Sequence, residues 1–129
     1  MSLDIARAAL ENYHDVTVDP DGALTFAHGG VVCAVQGLDL EEGLPVLNIT
    51  CVVAWDLSLD DDVPTRVAMG AGEGLFGTPR VIRGENGWDV TLRYAFPASG
   101  LEEKAMGTLL MLVVSSASSL RAELTGHPA

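Results

Sequence analysis

The spacing of hydrophobic and polar positions changes along this chain, and each change marks an element. A helical spacing comes first: Leu3, Ala6, Leu10 and Tyr13 fall on one face. Ser2 supplies an N-cap for that helix, and Asp4 suits the positive end of its dipole. An alternating period then takes over. Val16 to Val18 reads as a short strand and Asp19-Pro20-Asp21-Gly22 as a tight turn. Ala23 to His28 is a second strand, Gly29-Gly30 a two-residue hairpin turn, and Val31 to Gln36 the returning strand. A polar connection from Asp39 to Gly43 leads into the strongest strand signal, Val46 to Trp55. There Leu47, Ile49, Cys51, Val53 and Trp55 share one face. Val46, Asn48, Thr50, Val52 and Ala54 share the other, which is half apolar.

The second half follows the same logic. Asp60, Asp61 and Asp62 with Pro64 behind them predict the start of a helix rather than a metal site. That helix runs through Arg66, Val67 and Met69 into Gly70, Gly72 and Gly74. Each glycine costs about 1 kcal/mol relative to alanine in a helix interior, so the element is short or bent. Thr78 to Arg83 is a strand and Gly84 to Gly87 a turn. In the strand from Trp88 to Phe96, Trp88, Val90, Leu92, Tyr94 and Phe96 alternate with Asp89, Thr91 and Arg93, which implies one buried and one wet face. Ser99 and Glu102 match a capping box for a last helix from about Leu101 to Leu124, ending near Gly126. Its best core stripe is Leu101, Ala105, Leu109, Leu112, Ser116 and Leu120. The order is α-β-β-β-β-α-β-β-α in one α+β domain over residues 1–129, an antiparallel sheet with helices packed on it.

Charge and composition narrow the function. Apolar residues make up 48% of 129 residues, enough for a real core. Seven Lys and Arg against 18 Asp and Glu give a net charge of -11, which repels nucleic-acid phosphates and anionic membrane surfaces. The best membrane candidate, Leu109 to Val114, is far shorter than the roughly 20 residues a span needs. The start, Met1-Ser2-Leu3-Asp4, lacks the basic and apolar regions of a signal peptide, so a cytoplasmic protein is expected.

No candidate chemistry displaces a structural reading. Cys33 and Cys51 each sit in a predicted strand without zinc spacing and read as buried thiols; a cross-strand disulfide needs an oxidising compartment. Gly72-Glu73-Gly74-Leu75-Phe76-Gly77 spells GxGxxG, but it leads into a strand instead of opening a helix on a phosphate. His14, His28 and His127 are scattered without ligand spacing. Ser115, Ser116, Ser118 and Ser119 lie in the last helix, not on a nucleophile elbow. Asp19 and Asp21 lack the downstream Glu of a calcium loop. No catalytic, cofactor-binding or metal-ligating residue is therefore assigned. The expected activity is binding of a polypeptide or protein partner, with Val52 and Ala54 as the partner-facing positions. The alternative is a small-molecule binder or enzyme using a cleft between sheet and helices lined by Trp88, Tyr94 and Phe96. A third reading is a homodimeric structural or regulatory partner.

The chain resembles the YbjN-like and type III secretion chaperone-like superfamily, especially its actinobacterial peptide-binding chaperone-like branch. The residues that carry this are Val16-Thr17-Val18-Asp19-Pro20-Asp21-Gly22, then Leu47-Asn48-Ile49-Thr50 leading through Trp55-Asp56-Leu57, then Leu75-Phe76-Gly77. The strand from Trp88 to Phe96 and the leucine-rich last helix complete it. The resemblance implies a small acidic α+β protein that often dimerises, binds an extended polypeptide and carries no catalysis. The middle helix departs from it: three glycines stand where that family is richer in leucine and asparagine.

Overall fold

Local turn chemistry sets out the strands. The computed structural model describes residues 2–41, 43–71 and 76–126. Its strands are β1 (Thr17–Val18), β2 (Leu24–His28), β3 (Val31–Glu41), β4 (Leu44–Leu57), β5 (Thr78–Arg83) and β6 (Trp88–Pro97). Its helices are α1 (Ser2–Glu11), α2 (Val63–Arg66) and α3 (Glu103–Thr125). The element order is the expected one. The Asp19 carboxylate accepts from the Asp21 and Ala23 N–H groups, and the Gly22 N–H donates to the Asp19 carbonyl, closing the first turn. Gly29 and Gly30 take φ of 55° and 82°, the left-handed pair that a two-residue hairpin of native twist requires. All strand pairs are antiparallel, and the sheet order is β1-β2-β3-β4-β6-β5.

α1 and α3 pack on one face of this sheet and on each other. The core between them holds Leu24, Phe26, Val31, Val35, Leu47, Ile49, Val53, Val90, Leu92 and Phe96 from the strands. Ala6 and Leu10 of α1 close it, together with Met106, Leu110, Val113, Val114, Ala117, Leu120 and Leu124 of α3. α3 is long and apolar enough to cross a membrane, which the six-residue reading of Leu109 to Val114 missed. Its inner face nevertheless forms the roof of this core.

Several expectations need correction. The segment from Asp39 to Gly43 is not a simple connection: β3 continues to Glu41, Asp39 pairs with Pro45, and Glu41 pairs with Leu44. Gln36 to Glu41 are all exposed, so polar residues can stand in the ladder there. Tyr13 is 81% exposed, since α1 ends at Glu11 and Tyr13 falls in the turn behind it. The Ser2 side chain lies outside the described residues. The Ser99–Glu102 capping box does not form. Ala98 to Leu101 closes a turn with Gly100 at φ 83°, and α3 starts one residue after Glu102.

The middle helix is short and bent, as its glycines predict. Asp62 stands at the N-cap position of α2 without a side-chain bond to the helix N–H groups; its carboxylate accepts from the Thr65 hydroxyl, with Pro64 in the first turn. After four residues the chain passes into a π-helical turn, Val67–Ala71, broken at Gly70 with φ 143°. Gly72, Glu73, Gly74 and Leu75, most of the GxGxxG spelling, lie outside the described residues, as does His127.

The largest correction concerns α3. Met106, Leu110, Val113, Val114, Ala117 and Leu124 face the core, while Ala105 and Leu112 of the expected core stripe are exposed. Leu101, Leu109 and Ser116 are half-buried, and Leu120 alone of that stripe is buried. The helix is apolar on two faces, so periodicity offered two stripes and the sheet selected the other.

Candidate functional site

With both long helices on one side, the other face of the sheet is left uncovered by the described residues. Cross-strand register builds it in rows. Ala27, Val32, Val52, Thr91 and Arg80 stand side by side across β2, β3, β4, β6 and β5. The neighbouring row is Thr25, Ala34, Thr50, Arg93 and Thr78. Further along come Gln36, Asn48 and Ala95, then Leu38, Val46 and Pro97. Val32 is 49% and Leu38 61% exposed, while Val52 is half-buried between its neighbours.

Val52 is therefore on the open face, as expected, and Ala54 is not. Val52 pairs with Thr91 and Ala54 with Val90, so β4 carries one residue more than β6 at this point. This β-bulge reverses the parity of the strand. Val53 and Ala54 both point into the core, at 0% and 1% exposure, and Trp55 turns out to 51%. Trp55 therefore lies outside the core that it was expected to share with Val53. A second irregularity follows at Asp56, whose φ of 54° is held by a 3.0 Å bond from its N–H to the Asp89 carboxylate.

The open face has a distinct polarity. Arg93 donates from Nε to Asn48 Oδ1 at 2.8 Å, and Asn48 Nδ2 donates to Thr50 Oγ1 at 3.2 Å. This chain of bonds fixes the guanidinium over the sheet. Arg80 is exposed on edge strand β5, diagonal to it. The one outward carboxylate of β5 and β6 is Asp89, which the Asp56 N–H engages. β4 contributes no ionisable side chain from Leu44 to Trp55 except the buried Cys51 thiol.

A second apolar surface lies on the outer side of α3. Leu101, Ala105, Thr108, Leu109 and Leu112 line an open groove of about 790 Å³ with Lys104 at its edge. A cleft of about 590 Å³ runs between α1 and α3 past Tyr13, Glu103 and Thr108. Both are surface grooves. Of the residues named for a sheet–helix cleft in the alternative reading, Phe96 is 4% exposed, Tyr94 stacks on it with ring centroids 5.7 Å apart, and Trp88 is half-buried.

The remaining candidates are structural. Cys33 and Cys51 are directly opposed across β3 and β4, with Sγ atoms 3.4 Å apart as free buried thiols. Their hydrogen bond, and then burial, push the Cys33 pKa up. His14 Nε2 lies 3.1 Å from His28 Nδ1, a pair that sequence spacing did not announce. Burial, and next the charge of His28, hold His14 below its ordinary value. Ser116 accepts from the Phe76 N–H and donates to the Leu112 carbonyl, while Ser118 is buried against the Gly29 turn. Among the described residues, no carboxylate is buried and no group of three or more His, Cys, Asp or Glu side chains is placed to hold a metal ion.

No protein-family model and no curated protein matches the chain. Its fold is similar to that of a type III secretion chaperone. It is similar to the Yersinia pestis chaperone SycH, solved in complex with a stable fragment of YscM2. The TM-score is 0.58 at 9% identity, over 93% of this chain and 99% of that one.

Proposed function

We propose that this protein is a non-catalytic, polypeptide-binding, chaperone-like protein of the YbjN/type III secretion chaperone-like superfamily, acting in the cytoplasm as a homodimer. The observation that carries the reading is the uncovered sheet face, where Val32 and Val52 stand opposed between Ala27 and Thr91. A two-sided antiparallel sheet ordinarily turns a polar face to water, and apolar residues gathered on that face mark a contact surface. The likeness to SycH, solved with a polypeptide fragment, supports the same class of partner. The outer stripe Leu101, Ala105, Leu109 and Leu112 supplies the homodimer surface, replacing a middle helix cut to four residues. Two facing free thiols suit a reducing compartment. His14 pairs with His28 and Cys33 with Cys51, contacts that suit packing.

Light scattering and a peptide-array screen test this directly. A dimer that retains peptides, and releases them on Val52→Asp, is the expected result. A strictly monomeric protein that retains no peptide overturns the proposal.

A further inference from the structure

Resting on the polypeptide-binding reading above, the geometry points to the chemistry of the bound segment. We propose that the open sheet face takes an acidic polypeptide segment, its carboxylates meeting Arg80 and Arg93 and its apolar side chains lying on Val32 and Val52.

The distribution of charge carries the argument. The chain holds 18 acidic residues against seven basic ones, yet the outward rows paired across β2, β3 and β4, from Ala27–Val32–Val52 to Leu38–Val46, contain none of the acids; the exposed Asp56 of β4 lies beyond them, past the bulge. Asp89 is the single outward carboxylate on β5 and β6, and the backbone at Asp56 engages it. Arg80 and Arg93 stand on that same face, one on each of two paired strands. An acidic protein has thus cleared its carboxylates from one apolar face and left two guanidiniums beside it. Long-range repulsion from the net charge of -11 is screened beyond about 8 Å at physiological salt, so the local field decides what docks.

Desolvation gives the same answer. A segment laid across Val32 and Val52 covers Thr50 and Thr91, and with them the flanking guanidiniums. A guanidinium taken from water needs acceptors, and a carboxylate supplies two in matching geometry. A neutral segment leaves these charges underpaired, and a lysine-rich one adds repulsion. Asn48 pre-orients Arg93, so less side-chain freedom is given up when the partner arrives.

The test uses the whole chain and three short fluorescently labelled peptides. One alternates glutamate with valine, and the others replace glutamate by serine or by lysine. Anisotropy should show the glutamate peptide binding about tenfold tighter than the serine peptide, with the preference shrinking as salt rises. Arg80→Glu combined with Arg93→Glu should invert the order, so that the lysine peptide binds best. Arg93→Lys keeps the charge while removing the Asn48 geometry, and should retain the glutamate preference. If the double variant does not fold by circular dichroism, Arg80→Glu alone should halve the preference or more. Equal binding of the serine and glutamate peptides overturns this inference and leaves the polypeptide reading standing. A DNA oligonucleotide bound as tightly as the glutamate peptide also overturns it. Failure to bind any of the three peptides overturns both.

Discussion

Arg121 of α3 donates from Nη1 to the Val53 carbonyl of β4 at 2.9 Å, across 68 residues of sequence. Its guanidinium also lies 5.5 Å from the Trp55 ring centroid. The side chain reaches β4 by passing the hairpin turn, where a Cβ on Gly30 would come within 2.7 Å of Arg121 Nε. One arginine therefore ties together the bulge that redirects β4, the tryptophan that the bulge expels, and the roof helix. Arg121→Ala should cost about 2–3 kcal/mol in urea unfolding, because it removes both a charged hydrogen bond and a cation held over an aromatic ring. Tryptophan emission should report a more mobile Trp55.

The bulge itself is open to test. Ala54 faces the core beside Val53, whereas Val52 faces out. Ala54→Leu should destabilise by about 1–3 kcal/mol through overpacking, and Val52→Leu should change stability by about 0.5 kcal/mol or less. Without the bulge, Ala54 would share the open face with Val52 and both substitutions would cost little.

The two apolar faces of α3 separate in the same way. Leu110 is fully buried and Leu112 is 40% exposed. Leu110→Ala should cost about 2–5 kcal/mol in denaturant unfolding. Leu112→Glu should cost about 0.5 kcal/mol within one chain, yet convert the proposed dimer to a monomer in light scattering.

Acid should weaken the fold through the histidine pair. His14 is held below its ordinary value of 6.5 by burial and then by His28. The folded chain thus binds fewer protons at this site than the unfolded chain. The stabilisation is complete above the unfolded value and drains away as pH falls through it toward the lower folded one. Urea midpoints should therefore drop between about pH 7.5 and about pH 5.5, and His14→Gln should reduce that drop.

The cysteines should be silent in the native state. Cys33 and Cys51 are 1% and 0% exposed, and their mutual hydrogen bond and burial raise the Cys33 pKa away from the reactive thiolate. Iodoacetamide followed by mass spectrometry should label neither thiol until urea unfolds the chain.

What could be read from the sequence was local. The Asp19–Gly22 turn, the Gly29-Gly30 hairpin, the Gly84–Gly87 turn and the helix start at Asp62–Pro64 all formed where a few neighbouring residues specify the backbone. The alternation of β6 likewise placed Val90, Leu92 and Phe96 inside and Arg93 outside. The capping box at Ser99 failed because a tight turn through Gly100 claimed the same residues. Half of the candidate site was legible too: Val52 fell on the open face, but Ala54 did not, because one extra residue in β4 cannot be seen without its partner strand.

The sequence by itself determined the kinds of elements, their order and their turns, since these depend on periodicity and on backbone preferences within a few residues. Only the tertiary structure decided which of two apolar stripes of α3 met the sheet, where β4 changed face, and that His14 met His28 and Arg121 met Val53. Those outcomes depend on register and packing between distant segments, where a single inserted residue reverses inside and outside. The uncovered face that bears the proposed function is of this second kind: its residues are ordinary in sequence, and only the sheet assembles them into a surface.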